Sequence, residues 1–378
     1  MASRARLALA SVFFAYGIIV GTWAPHIPLA KERLAASPGF LGLALLCFSF
    51  GAILAMPPAG GAVARHGSAP MAVLSTALAA LALPGPFLAP NLALFALALL
   101  IIGAALGALD VAMNAQALIV ERALKRPVIS LLHGIYSAAG LAGAGLSAVL
   151  IGRLDEPTRA LVTTLACLAI AVASRRHLIA EPTPARSGPM LVLPSRATIG
   201  LGILCFLALL IEGTTIDWAA VHLRENRGAS GNLASLAFGL YSGGMALSRF
   251  VGDRFRTRLG SPTLLRWCGG LTAAATLAAI ASPSPALALA AFALAGLAIG
   301  PIAPVLFAGG GRAEPENPGH GIAAVSTLGY TGLLMGPALV GLLAEAMGLA
   351  MALAIVAATA VVIALGAARA AVADDDAP

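Results

Sequence analysis

The chain has 378 residues, of which 60% are hydrophobic and 10% charged, with a mean hydropathy of +0.94. Soluble domains carry roughly a quarter charged residues, so this composition excludes a soluble protein and points to one whose solvent is lipid. The net charge of +7 does not indicate nucleic acid, because the arginines are spread thinly between apolar stretches rather than gathered in a patch.

Apolar windows predict twelve helices, at about 7–28, 39–62, 69–88, 91–120, 128–152, 158–174, 197–222, 232–251, 262–281, 285–308, 319–343 and 348–368. Each span then has about 31 residues with its loop, which leaves no room for a soluble domain. The start, Met1-Ala-Ser-Arg-Ala-Arg, looks like the charged region of a signal peptide. The apolar segment after it is too long for one, and many more follow, so it reads as a retained first span. Cys47, Cys167, Cys205 and Cys268 lie scattered in apolar runs with no ligand spacing and read as small buried hydrophobes.

The longest polar stretch, 175–196, carries Arg175, Arg176, Pro182, Pro184 and Pro189 and reads as a cytoplasmic linker between residues 1–174 and 197–378, six helices each. A shift of 193 positions places Phe48-Ser49 on Tyr241-Ser242, Gly51 on Gly244, Arg65 and Gly67 on Arg258 and Gly260, and Gly103 and Gly107 on Gly296 and Gly300. Shifts of 195 and 187–189 superpose Trp23-Ala24 on Trp218-Ala219 and the fifth span on the eleventh. Ordered matches in several helix pairs at nearly one offset imply an all-α membrane protein of two pseudo-symmetric six-helix bundles in parallel repeat. Small-xxx-small pairs at Gly17/Gly21, Gly103/Gly107, Gly239/Gly243, Gly296/Gly300 and Gly332/Gly336 let backbones approach, for static packing or for sliding. With the N-terminus inside, Lys and Arg divide 17 inside against 6 outside, so an even number of spans puts both termini in the cytoplasm.

Within 91–122 the run Leu109-Asp110-Val-Ala-Met-Asn114-Ala-Gln116 holds the strongest site candidates. Asp110 and Asn114 are one turn apart on one helix face. A charge in lipid costs several kcal/mol, so this face must line protein or a water-filled cavity. Their chemistry is a protonatable carboxyl beside a carboxamide able to hydrogen-bond a solute; the structural alternative is an Asp–Arg pin between two helices. Glu212 and Asp217 lie five residues apart in the seventh span, about 140° round the helix, and so serve different surfaces. Glu212 has no local partner and is assigned to the cavity; Asp217 is grouped with it among the solute- and proton-binding candidates, with an outer salt bridge to Arg224, seven residues on, as its structural alternative. Trp218 reads as an interfacial anchor. His133, with Tyr136 and Ser137 one turn on, suits either a structural hydrogen bond or a proton relay. Arg249 and Asp253 at i, i+4, followed by Arg254, Arg256 and Arg258, read as an inner-face charge clamp, more a gate than a solute site. Gln116 closes the first run and is grouped with the solute-binding residues, and Arg65 with the gate. No metal-spaced cluster, phosphate loop or nucleophile elbow is present in the sequence, so no cofactor, metal, catalysis or nucleotide-driven pumping is expected.

These residues are similar to the major facilitator superfamily over essentially the whole chain. The superfamily's inner loop between spans two and three reads Gly-x-x-x-Asp-Arg-x-Gly; here it is Ala64-Arg65-His66-Gly67, with Ala where the Asp belongs. In the second half Asp253-Arg254 stands apart from Arg258-Leu259-Gly260. Leu109-Asp-Val-Ala-Met-Asn-Ala-Gln, Leu132-His-Gly-Ile-Tyr-Ser, Glu212-Gly-x-x-x-Asp-Trp-Ala-Ala-Val-His-Leu-Arg and Leu328-Gly-Tyr-x-Gly-x-Leu-x-Gly-Pro resemble a bacterial inner-membrane branch akin to the fucose permeases. That resemblance implies a monomeric secondary transporter of the bacterial inner membrane, moving a small polar, sugar-like solute with protons by alternating access. In fucose permeases an acid in span four, followed by an Asn on the same face, belongs to the sugar and proton site; Asp110 and Asn114 are the matching positions. Those permeases also use an acid in span one, and this chain has none between Leu7 and Pro28. Export of amphipathic compounds is the alternative expectation, and a membrane-embedded enzyme or sensor a distant third.

Overall fold

The computed structural model describes residues 2–124, 128–180, 195–314 and 318–374. Of the linker expected at 175–196, residues 181–194 lie outside that description, as do Lys125, Arg126 and Arg186 of the charge count. Among the described residues the only sheet-like feature is an isolated bridge between Ile151 and Leu154. The chain clusters into two compact units, Met1–Ala36 with Leu43–Met190, and Ser37–Gly42 with Leu191–Pro378.

Eight helices belong to the first half: α1 (Ala2–Trp23), α2 (Ile27–Arg33), α3 (Pro38–His66), α4 (Ser68–Ala82), α5 (Pro84–Leu88), α6 (Leu92–Leu124), α7 (Ile129–Leu150) and α8 (Glu156–Ser174). The second half has α9 (Ile199–Arg227), α10 (Gly231–Leu259), α11 (Ser261–Ala281), α12 (Pro285–Ile299), α13 (Ile302–Ala313), α14 (Pro318–Met347), α15 (Leu349–Gly366) and a closing 3₁₀ segment, Ala367–Ala373. Each of the twelve expected spans is present, and the surplus helices come from proline breaks inside three of them. Pro25 and Pro28 turn the first span through a 3₁₀ segment, Pro84 divides the third, and Pro301 separates α12 from α13, because proline offers no N–H to continue the ladder. Among the described residues, ten stretches are long and apolar enough to cross a membrane by length and composition. The remaining two spans are α7 and α10, of 22 and 29 residues. At about 1.5 Å per residue even the shorter reaches some 33 Å.

Within each unit the same glycines bring the same helices together. A Cβ on Gly103 of α6 would lie 1.9 Å from Phe48 O on α3, and one on Gly296 of α12 would lie 2.1 Å from Tyr241 O on α10. Both members of these two pairs are 193 positions apart, so the sequence repeat is a repeat of backbone contact. The turn after the second span of each half repeats as well. Gly67 (φ +85°) precedes α4 and Gly260 (φ +74°) precedes α11, a backbone sign that glycine adopts without the penalty a Cβ brings.

Candidate functional site

In the first half the site is built on the accessible face of α6 and α7. Asn114 Nδ2 donates to the backbone oxygen of Asp110 at 2.9 Å and to its carboxylate Oδ1 at 3.1 Å. His133 Nε2 lies 3.2 Å from Asn114 Oδ1. An amide oxygen only accepts, so this contact assigns the imidazole proton to Nε2. The result is a chain of carboxylate, amide and imidazole across two helices. The amide is oriented from both ends, and an acid and a base stand at the two termini.

The first helix supplies the backing that sequence reading missed. Gly17 and Gly21 let α1 lie against α7 so closely that a Cβ on either would come within 2.2 Å of Tyr136 O or 2.3 Å of Gly140 O. That approach sets Phe13 edge-on to His133 at 5.3 Å and Tyr16 edge-on to Tyr136 at 5.2 Å. Each such ring contact is worth about 1 kcal/mol, enough to fix a rotamer. The acid-free first span thus contributes rings to this face rather than a carboxylate.

Gln116 is not part of this group. Six residues on from Asp110 it points about 240° round α6. There it is fully buried, accepting from Ser68 Oγ at 2.6 Å and donating to Ile179 O at 3.2 Å. Those two bonds occupy it with holding α4 and the segment after α8, which corrects its grouping with solute-binding residues.

In the second half Glu212 does have a partner. Arg249 Nη2 on α10 lies 3.4 Å from Glu212 Oε2 on α9, and Arg249 Nε donates to Gly300 O at 3.2 Å. Residue 304 is proline, so the carbonyl of Gly300 has no helical N–H to meet, and the guanidinium takes its place. Arg249 is therefore turned to the α9–α12 side, where it balances an acid and mends a broken helix. The expected clamp with Asp253 involves a side chain outside those described. Tyr241, fully buried on α10, lies within electrostatic reach of both Glu212 and Arg249.

Asp217 stands apart from that pair. It has no ion-pair partner among the described residues, and Arg224, expected to meet it, donates to Ala229 O at 3.3 Å. Trp218 is fully buried and donates to Pro337 O at 3.1 Å, so it is a packed core residue and not an interfacial anchor. Arg65 is exposed at the end of α3 and makes no ion pair among the described residues. Neither Phe13 and Tyr16 nor the Arg249–Glu212 contact had a local signature. The contacts join residues 37 to 120 positions apart in apolar helices that look alike.

Among the described residues outside the membrane-spanning segments, Asp374 is the one with a shifted pKa. Partial burial acts to raise its pKa, but hydrogen bonds from the Ser261 hydroxyl and N–H and the nearby Arg256 guanidinium outweigh this and hold its carboxyl below the usual range.

Comparison with known proteins agrees with this architecture. A family model described as Major Facilitator Superfamily matches residues 7–200 and again 201–378. An uncharacterised MFS-type transporter of Yersinia pestis is 36% identical over 346 residues, covering 91% of this chain and 90% of that one. The crystal structure of the nucleoside transporter NupG superposes with a TM-score of 0.77 at 14% identity, covering 97% of this chain and 98% of that chain. The fucose:proton symporter FucP of E. coli does so with a TM-score of 0.63 at 16% identity, covering 96% and 97%. With both halves matched and a relative this similar over nearly its full length, the chain belongs to the major facilitator superfamily and is a multi-pass membrane transporter of the secondary, gradient-driven type.

Proposed function

We propose that the protein moves a small polar, sugar-like solute together with protons by alternating access, with Asp110 as the proton-binding group. The observation that carries this reading is the bridge from Asp110 through Asn114 to His133. Proton coupling needs a group that is neutral and charged in turn, held beside a polar group that senses the solute. Asn114 is hydrogen-bonded to both titratable residues, so a solute hydroxyl that engages its amide competes directly with the Asp110 and His133 bonds. Glu212 is the second acid, and it is the weaker candidate because its carboxylate is already engaged by Arg249. Tyr136, one turn from His133, offers a further hydrogen-bonding ring. The bacterial inner membrane, a monomer and cytoplasmic termini complete the proposal.

The test is flux into liposomes carrying a trapped pH dye, against a panel of monosaccharides and nucleosides, with and without a pH gradient. Wild-type protein is expected to acidify the lumen with solute entry, and Asp110→Asn to abolish gradient-driven accumulation while keeping part of equilibrium exchange. Asn114→Ala is expected to weaken solute binding by roughly 1–3 kcal/mol through a lost buried partner. Undiminished uphill transport by Asp110→Asn would move the proton site to Glu212. Labelling of cysteines placed at Ser187 and at exposed Asn226 checks sidedness. Both residues on one side would overturn the twelve-span topology.

A further inference from the structure

In the second unit α9 and α14 meet along a seam lined with oxygen atoms. Leu210, Gly213, Thr214 and Asp217 follow at i, i+3, i+4 and i+7 and form one stripe of α9. A Cβ on Gly213 would lie 2.8 Å from Leu333 O of α14, and one on Gly336 of α14 would lie 2.8 Å from both Leu210 O and Thr214 Oγ1. Pro337 stands inside α14 and has no N–H to give the carbonyl of Leu333. Thr214 is fully buried, and its hydroxyl has no hydrogen-bond partner among the described residues. Asp217 ends the stripe, partly exposed and with neither an ion pair nor a hydrogen bond among the described residues. Cα–Cβ bonds tilt towards a helix N-terminus, so this carboxyl leans over Gly213 and Thr214. The first half has no counterpart. The repeat places Thr22 at Asp217, Ile19 at Thr214 and Ala148 at Pro337, and Thr22 spends its hydroxyl on Ile18 O at 2.8 Å.

We propose that this seam binds a sodium ion, with the Asp217 carboxylate, the Thr214 hydroxyl and the Leu333 carbonyl as its protein ligands. An acid inside a membrane span needs a partner, and no side chain supplies one here. The donors are all hard oxygens, which suit an alkali or alkaline-earth cation and not zinc or copper, whose ligands are nitrogen and sulfur. One carboxylate balances one positive charge, whereas calcium draws six to eight oxygens and usually several carboxylates. Backbone approaches as close as those at Gly213 and Gly336 leave room for a bare ion and not for an organic ammonium. A proton on Asp217 would reach one acceptor only, while a cation engages the hydroxyl and the released carbonyl together. A carbonyl freed by a helix break is also a donor that a membrane interior can offer a cation without further cost. The partial exposure of Asp217 gives the ion its way in. This site goes beyond the proton reading of the first half and does not rest on it.

The experiment is equilibrium binding of radioactive sodium to the purified full chain in dodecyl maltoside at pH 8, with choline keeping the ionic strength constant. Wild-type protein is expected to bind sodium saturably, with potassium and methylammonium competing about tenfold less well than unlabelled sodium. Asp217→Asn should weaken binding by about tenfold or more, and Thr214→Val, which keeps the shape of the side chain, by about threefold. Glu225→Gln, an exposed acid further along α9, should bind as wild type does. Absence of saturable sodium binding by wild-type protein overturns the proposal, whether or not any variant folds. So does undiminished binding by Asp217→Asn, or by Thr214→Val if Asp217→Asn does not yield a monodisperse species. Equal competition by potassium or by methylammonium would show a cation site without the proposed selectivity and would overturn the sodium assignment. Loss of binding in Glu225→Gln would assign it to surface charge and overturn the site.

Discussion

Ser68 starts α4 in the first half and Ser261 starts α11 in the second, 193 positions later, each just after a glycine of positive φ. Each also ties its helix to the segment that follows the sixth span of its own half. Ser68 does so through Gln116, which reaches Ile179 O, whereas Ser261 bonds Asp374 directly, with Asp374 Oδ2 accepting from its N–H at 2.9 Å. Ile179 and Asp374 are themselves 195 positions apart. The same joint is thus made once with a neutral amide and once with a carboxylate and Arg256, whose Nε is 3.6 Å from Asp374. The division extends to the site. The first half has Asp110 on α6, where the repeat places Ala303 in the second, and the second half has Arg249 on α10, where the repeat places Met56 in the first. Geometry of packing is duplicated while chemistry is not.

If the packing is truly shared, the largest effects should be alike in both halves. Gly103→Ala and Gly296→Ala each drive a Cβ into a backbone carbonyl, at 1.9 and 2.1 Å. Neither carbonyl can yield without moving a helix, so each substitution should cost about 3 kcal/mol and lower the melting temperature in detergent. Gly145→Ala is the control, since nothing lies within 4 Å of its built Cβ and the change should be neutral or stabilising. A large loss in one half only would break the parallel.

The chemistry predicts the opposite pattern, an effect confined to the second half. Arg249→Met restores the residue type of the first half but strands Glu212 and leaves Gly300 O unbonded. With the pair partly accessible, at 35% and 16% exposure, the expected cost is about 2 kcal/mol, well short of a fully buried pair. Adding Glu212→Gln should recover part of that by removing the unpaired charge. No recovery would mean that the mended helix break, and not the ion pair, is what Arg249 contributes; thermal unfolding of the two single variants and the double reads this directly.

Apolar windows placed helices at all twelve positions, and for the ten that meet a bilayer's length and composition the sequence displays the constraint openly. The internal repeat was visible for a similar reason, since backbone contact tolerates only glycine, as at Gly103 and Gly296. Asp110 and Asn114 were legible because one turn of helix is a local distance. His133 could be named but not joined to them, as 19 positions and a loop separate it from Asn114. Gln116, six residues on, lies on a different helix face from Asp110 by spacing alone, but its partners Ser68 and Ile179 are ones that no window of sequence brings together. Arg249 was read only against its neighbour Asp253, because its bonds to Glu212 and to the carbonyl released by Pro304 lie on other helices.

The smallest effect concerns the joint after the sixth span, and it separates the two halves by pH. Hydrogen bonds from Ser261 and the charge of Arg256 outweigh partial burial and keep Asp374 ionised below its ordinary pKa. A carboxyl depressed in the folded state stabilises fully above its unfolded pKa, and that contribution is lost as pH falls through the lower, folded value. The joint at Asp374 should therefore be intact at pH 7 and at pH 5, and should loosen only below about pH 4. Gln116 does not titrate, so the joint between Ser68 and Ile179 should show no such transition. Asp374 is partly exposed, at 30%, and its pair with Arg256 lies near the surface, so the effect should stay within ~1 kcal/mol and should shrink with salt. Hydrogen exchange resolved by segment is the measurement, with intrinsic rates corrected for pH. Protection of Ala367–Ala373 should fall between pH 5 and pH 3 while that of residues 175–180 stays level, and Asp374→Asn should remove the difference at every pH. A parallel loss in both segments would assign the acid sensitivity to the units as a whole, and the carboxylate would then not be what distinguishes the second joint from the first.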